Sequence, residues 1–531
     1  MIHEPAYPQP QAALVTHGPS VLCSRRRHLI LAAVSMALLY LATTTDLWWP
    51  ASDSALYLGL ARSLSEGHGY RFNGSVNRVV MPGFPVILAG IHVLFGEGFR
   101  GPNLFIALCA LATITLVYMV IAQKANHATA LVVALATGCS YMFYHNAHRI
   151  LTDMPFTALF WATLYTCLRH QRGSLYGLIP TALLTAVSIA VRAPGVLLLG
   201  LLCVGIVFDR SATAHLGRRL LAGAVVGTVV VITTGTFYLL TRSPAASAPD
   251  YFAGVNWSLS RGPANTLADL GIGLNRLPGA LSELFLSQDV PIPCGVTILL
   301  LAIIGGISCW RRGNRLIPTV VLLYVTALAC FASEPKMIRP RYLLPLHGLL
   351  VFLTIEGLFS SIAWIYRRKS ILPHRVMFGR VAAIFLSIVI VANAPRLLRD
   401  AVYYTYLSYT PRYYATIRSG RYEEAFPVAN IINKSCGIDS SFAVGRNSVA
   451  ILHFLSQRKA QPLPAVDRTT VEDAENLLAF ITSQSGLDAV VIDISNASQA
   501  FLSPLKNSLE DMADWSMAYD GSRYIMYCRT R

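Results

Sequence analysis

Two aspartates and one crowded turn of cations carry the chemistry this sequence offers. Asp53 stands just past the first apolar run, in Asp53-Ser54-Ala55-Leu56-Tyr57, and Asp153 opens another apolar run in His148-Arg149-Ile150-Leu151-Thr152-Asp153-Met154-Pro155-Phe156. Lys336, Arg339, Arg341 and Tyr342 precede Leu343-Leu344-Pro345, while Arg78 and Arg192 are further cations near apolar segments. A carboxylate accepts the proton of an attacking hydroxyl, and cations hold a phosphate as it leaves. That combination suits transfer of a group from a phosphate carried on a lipid. Tyr57, His148 and Arg192 are the candidates for contacting substrate. Plainer uses exist for all of them. Each acid would cap a helix, Arg192 would snorkel at a helix end, and the cation turn would meet phospholipid head groups.

The elements that must position these residues are dictated by composition. Of 531 residues 54% are hydrophobic and only 13% charged, which excludes an ordinary soluble domain and makes this a polytopic membrane protein. The formal charge of +16 is spread over small Lys and Arg clusters between apolar runs, a topology signal rather than a nucleic-acid face. Ten cysteines show no Cys-x-x-Cys pair and no Cys/His ligand spacing; Cys436 and Cys528 are the one pair to consider. Residues 1–24 read as a disordered cytoplasmic tail, 25–397 as the transmembrane domain, and 398–531 as a small α/β domain outside the membrane.

Apolar stretches near 28–45, 102–122, 128–147, 154–168, 174–191, 194–208, 218–240, 291–310, 315–332, 341–365 and 378–395 give about eleven spans. Residues 82–95, opening Pro82-Gly83-Phe84-Pro85, read as re-entrant or interfacial. With that segment excluded, Arg25 to Arg27, Lys124, Arg169, Arg210, Arg311 and Arg367 all fall on the cytoplasmic side. The outer side then receives the first loop 46–101, the turn before Met154, Arg192, the large loop 241–290, the turn 333–340 and the tail domain. The cation turn therefore runs against the positive-inside trend, a cost that an anion there would offset. Ser52-Asp53 reads as a cap, followed by Leu56, Leu60 and Leu64 and a stop at Gly67 and Gly69: a short amphipathic helix lying on the membrane. Arg62 and Arg71 are expected to join Arg78 at the same anion site, and Tyr251, Trp257, Arg261 and Arg276 to line an acceptor side or anchor the interface.

Outside the membrane, helices are expected over 422–433, 449–456 and 471–484 and strands over 441–444 and 489–493. Tyr403, Tyr404, Tyr406, Tyr409, Tyr413 and Tyr414 read as an interfacial collar. Glu356, inside the span 341–365, is the buried acid that a transporter or flippase would require, and an oligosaccharide ligase is a further alternative.

The order of Asp53, Tyr57, Ala61, Gly67-His68-Gly69-Tyr70, Pro82-Gly83-Phe84-Pro85, Leu151-Thr152-Asp153-Met154-Pro155-Phe156, Val191-Arg192-Ala193-Pro194-Gly195 and Arg341-Tyr342-Leu343-Leu344-Pro345 resembles the integral-membrane glycosyltransferases of the GT-C fold. The nearest branch is the bacterial protein mannosyltransferase and aminoarabinose transferase group, with the rhizobial lipopolysaccharide galacturonosyltransferases. The resemblance spans about residues 28–400. It implies a polyprenyl-phosphate sugar donor, a lipid, glycan or protein acceptor at the cell envelope, and inversion at the anomeric carbon. Asp53 would then be the base or acceptor-positioning acid, and Asp153 a second acid contacting acceptor or an optional divalent metal. Lys336, Arg78, Arg339, Arg341 and Tyr342 would bind the donor phosphate. No cofactor is certain, because Ser54 rather than a second acid follows Asp53.

Overall fold

The computed structural model describes residues 19–77, 80–170, 178–200, 262–286, 291–330, 338–366, 374–407, 424–435, 441–445, 448–463, 470–484, 487–494, 497–521 and 523–529, with isolated positions between 224 and 235. Four described helices are long and apolar enough to cross a membrane: Arg100–Ile121, Ile292–Arg311, Pro340–Ile365 and Gly379–Thr405. Helix α1 (Pro19–Leu41) is apolar over Arg27–Leu41 but shorter, as are His127–Gly138, Ile179–Val191 and Leu316–Cys330. The described residues thus carry a smaller count than the eleven expected spans. One reason is local: the stretch 128–147 breaks at Ser140, whose hydroxyl donates to Leu284 O at 2.7 Å, leaving His127–Gly138 and Tyr141–Asn146 as separate helices. The expected span 218–240, and most of 194–208, lie outside the described residues.

The bundle shows lipid-facing chemistry on its outside. Ile30, Leu31, Val34 and Leu38 are exposed, as are Leu104, Leu108, Leu300, Ile384 and Ile388, which water would penalise and hydrocarbon would not. Inside, small residues let backbones approach. The helices Ile292–Arg311 and His347–Tyr366 cross where neither Gly305 nor Gly357 leaves room for a Cβ against the other's backbone. Buried amides tie elements across the bundle: Asn393 accepts Tyr141 N–H at 2.9 Å and donates to Phe285 O at 2.8 Å. The helix Pro263–Leu286 falls inside what reads in sequence as a large loop. Asn265, Asp269, Asn275, Arg276 and Glu283 make it too polar to announce itself as a membrane helix, but Leu277, Leu281, Leu284 and Phe285 bury one face.

Between Leu41 and Arg100 the chain forms the expected surface elements. Helix α2, Ser52–Ser65, ends before Gly67 and Gly69, which take positive φ of 78° and 80°. Its start differs from the expected Ser52-Asp53 cap. Ala51 is the cap residue and offers no side-chain bond; Ser54 donates to Ala51 O and accepts Trp48 Nε1–H, both at 2.9 Å. Asn103 donates to Thr45 O and Leu47 O, fixing the approach to α2. Strands β1 (Arg71–Phe72) and β2 (Ser75–Val76) form a small hairpin. The helix Gly83–Phe95 has 13 residues, about 20 Å, too short to span the roughly 30 Å core. Val93, Leu94 and Phe95 are left exposed at its end, which suits an interfacial segment.

The tail forms a five-stranded sheet in the order β4-β3-β5-β7-β6, from β3 (Ser441–Val444), β4 (Lys459–Pro462), β5 (Leu487–Asp493), β6 (Trp515–Asp520) and β7 (Tyr524–Arg529). Strand β3 runs parallel to β4 and β5, and the β6–β7 hairpin is antiparallel. The helices Val449–Ser456, Val471–Ser483 and Gln499–Glu510 fill the crossovers. Cys528 is buried, while Cys436, its expected partner, lies outside the described residues. Tyr404 is not part of an interfacial collar: it is buried and stacks on His148 at 4.5 Å. Tyr409, Tyr413 and Tyr414 lie outside the described residues.

Candidate functional site

Asp53 sits in the first turn of α2 with its side chain about half exposed, where the positive end of the helix dipole favours an anion. Its partner is Arg341, whose Nη1 reaches Oδ2 at 3.5 Å. That is a loose, partly solvated pair. Arg341 also donates through Nη2 to the Tyr342 hydroxyl at 2.8 Å and lies over the Tyr342 ring at 4.8 Å. A second cation on that ring is Arg192, at 5.1 Å.

Arg192 pairs in turn with Asp153, Nη1 to Oδ1 at 2.5 Å; the Asp153 side chain is buried and that of Arg192 is mostly enclosed. The chain is extended at Arg192 between the helix Leu178–Val191 and the 3-10 turn Ala193–Gly195, so the guanidinium points to the first turn of the helix Asp153–His170. Burial alone would lower the Arg192 pKa; Asp153 outweighs it and holds the guanidinium above its ordinary value. A continuous series follows: Asp153, Arg192, Tyr342, Arg341, Asp53. Tyr57 borders it. Burial and then the Asp53 carboxylate push its hydroxyl up to about 12, so it stays a hydrogen-bond donor at neutral pH.

Arg341 also lines a cavity of about 630 Å³ with Arg149, Arg276, Arg339, His145 and Glu283. Four arginines against one carboxylate make the lining cationic, a field that would attract an anion. Nε of both Arg149 and Arg341 is buried with no hydrogen-bond partner. Burial lowers the Arg149 pKa below its ordinary value, a cost that an anion in the cavity would offset.

Of the residues singled out in the sequence, Asp53, Tyr57, Asp153, Arg192, Arg339, Arg341 and Tyr342 come together here. Arg78 and Lys336 lie outside the described residues. His148 is not at the cavity. It is a satisfied core histidine, with Nε2 on Thr43 Oγ1 at 2.7 Å and Nδ1 on Tyr144 O at 2.9 Å. Arg62 and Arg71 line a different cavity, so they do not join the expected anion site. Arg149 carries no signal of its own in the sequence beside Asp153, and Arg276, expected at an acceptor side or the interface, lines this cavity instead. Glu356 is paired with the half-exposed Arg312 at 3.0 Å, near the end of that helix's neighbour, rather than standing as a lone acid.

Asp53 and Asp153 are a poor fit to a metal. Each carboxylate faces a guanidinium, and among the described residues no group of three or more His, Cys, Asp or Glu is placed to hold an ion.

The burial of Asp153 and Arg192 sets an expected result. Asp153→Asn should destabilise the protein by about 3–5 kcal/mol, since it strands a buried guanidinium. Replacing both, Asp153→Leu with Arg192→Leu, should cost less than Asp153→Asn alone. Thermal unfolding in detergent measures both, and equal losses would show that the pair is not the anchor.

The fold is similar to that of several solved structures, and one family model matches part of the chain. Residues 80–237 match the family described as dolichyl-phosphate-mannose-protein mannosyltransferase. Among solved structures, ArnT from Cupriavidus metallidurans bound to undecaprenyl phosphate is similar, at 16% identity and a TM-score of 0.59 over 94% of this chain and 97% of that one. The Archaeoglobus fulgidus oligosaccharyltransferase in complex with Zn and sulfate is similar at 11% identity and a TM-score of 0.56, over 94% of this chain and 73% of that one. The same archaeal enzyme with an inhibitory peptide and a dolichol-phosphate gives 11% identity and 0.52, over 96% and 74%. No curated protein matches in sequence. At these identities the likeness is one of fold.

Proposed function

We propose that this protein transfers a sugar from a polyprenyl-phosphate donor to an acceptor hydroxyl at the outer face of the cytoplasmic membrane, with inversion. The observation that carries the reading is the arginine-lined cavity meeting Asp53 through Arg341. The donor phosphate occupies the cavity against Arg341, Arg149, Arg339 and Arg276. Lys336 and Arg78 are proposed to complete its neutralisation. The acceptor oxygen attacks the anomeric carbon and its proton passes to Asp53. The bond from that carbon to the phosphate oxygen breaks, and its electron pair leaves with the polyprenyl phosphate. Tyr57 and Tyr342 border the reacting centre, and the Asp153–Arg192 pair fixes Tyr342 and Arg341 from behind.

The N-terminus is assigned to the cytoplasm and the tail domain to the periplasmic side, on the distribution of basic clusters. The acceptor is a lipid, glycan or protein hydroxyl of the cell envelope. Purified protein in detergent, supplied with labelled polyprenyl-phosphate sugar and a membrane extract, is expected to release polyprenyl phosphate and label an acceptor. If the donor survives intact but crosses the bilayer in liposomes, a flippase replaces this reading.

A further inference from the structure

A second cavity, of about 540 Å³, opens on another face of α2. Gly59, Arg62, Ser63 and Glu66 form one wall, at the three- and four-residue spacing that puts side chains on one helical face. The hairpin supplies Arg71 and Phe72, and the tail domain supplies Phe454 and Gln457. None of these residues belongs to the arginine cavity beside Asp53.

The walls are held firmly. Asn73, at φ 54°, uses its side-chain amide as a peptide would, accepting Ala460 N–H at 2.8 Å and donating to Ala460 O. Its own N–H donates to His453 Nε2 at 3.0 Å, while His453 Nδ1 donates to Arg458 O. Gly59 leaves the space that the Phe72 ring fills, since a Cβ there would lie 2.5 Å from it.

Within these walls the charged groups are under-used. Arg62 lies over Phe454 at 5.1 Å and reaches the exposed Glu97 only at 3.7 Å, and its Nε is buried without a hydrogen-bond partner. Glu66 pairs with the exposed His68 at 3.2 Å, and Arg71 is exposed on the hairpin. Each buried donor left this way calls for a partner.

We infer that this cavity binds a saccharide carrying a carboxylate or a phosphate. Two guanidinium groups against one carboxylate leave the lining cationic, and the arginine fork matches either anion. The partly exposed Phe72 offers apolar surface to the C–H face of a sugar ring, and the exposed Gln457 offers an amide to its hydroxyls. The volume falls in the range of small-molecule sites. Binding here does not depend on the transfer reaction, so its test is separable from the test of that reading.

Calorimetric titration of the full-length protein in detergent, with glucuronate, glucose 6-phosphate, glucose and inorganic phosphate, tests the proposal. The two anionic sugars are expected to bind, with glucose and inorganic phosphate each at least about tenfold weaker. Arg71→Gln changes an exposed residue without touching the core and is expected to weaken sugar binding about tenfold; Arg62→Gln should do the same, while Arg341→Gln should not. Failure of both anionic sugars to bind, inorganic phosphate binding as tightly as the sugars and weakened equally by Arg71→Gln, or an Arg71→Gln protein that binds the sugars normally would each overturn the proposal.

Discussion

Asp53→Asn should reduce sugar transfer by about 10²- to 10⁴-fold while leaving donor affinity within a few-fold of the native protein. Asparagine keeps the size of the side chain and a hydrogen bond to Arg341 but cannot accept the acceptor's proton. The change therefore removes an interaction made only as the acceptor attacks, which lowers the turnover rate rather than substrate binding. Asp53→Glu should recover part of the rate, because a carboxylate remains at the start of α2, displaced by one methylene. The measurement is product formed per enzyme under saturating donor, alongside equilibrium binding of a polyprenyl phosphate. An Asp53→Asn protein that transfers sugar at near-native rate would remove Asp53 from the role of base. One that binds donor poorly would instead make it a positioning group for Arg341.

The separation of roles between the two acids could not be read from the sequence. Both stand at helix starts, both follow short polar turns, and both are consistent with capping. Burial distinguishes them. Asp153 is enclosed and committed to Arg192 at 2.5 Å, whereas Asp53 is half exposed and holds Arg341 at 3.5 Å. In the sequence, charge pattern marks Arg341, because a cation turn on the expected outer side defies the topology signal. It gives no such mark to Arg149, whose neighbours in the cavity come from the helix Pro263–Leu286 and the turn at Arg339, far away in sequence. That helix was itself hidden by its polar face. In the tail, the buried strands β3 and β5 were legible as apolar runs. The β6–β7 hairpin was not, since exposed positions such as Ser516 and Met517 break the pattern in β6. His148 shows the opposite error: a polar residue five positions before an acid looked functional, but the fold turns it inward to bond Thr43 and stack on Tyr404.

Arg341→Gln should weaken binding of a polyprenyl phosphate by about a hundredfold, a loss of about 2.7 kcal/mol, and depress transfer at least as much. The magnitude follows from a charge-assisted contact made in a partly enclosed site, where little water competes for the anion. Arg341→Lys should recover less than the full affinity, since an ammonium is a point charge and cannot hold two phosphate oxygens in the plane of a guanidinium fork. The contact with Tyr342 must be separated from the contact with phosphate. Tyr342→Phe deletes the 2.8 Å hydrogen bond but keeps the ring between Arg192 and Arg341, so it should cost no more than about tenfold. Tyr342→Leu removes the ring as well and should approach the loss seen in Arg341→Gln. Arg149→Gln is expected to act on the same ligand from the other wall of the cavity. If both arginines grip one phosphate, the double variant should lose less than the sum of the two single losses, because the second substitution acts on a phosphate already displaced. Strict additivity would mean two independent anions in the cavity, and no effect of Arg149→Gln would confine the donor phosphate to the Arg341 side.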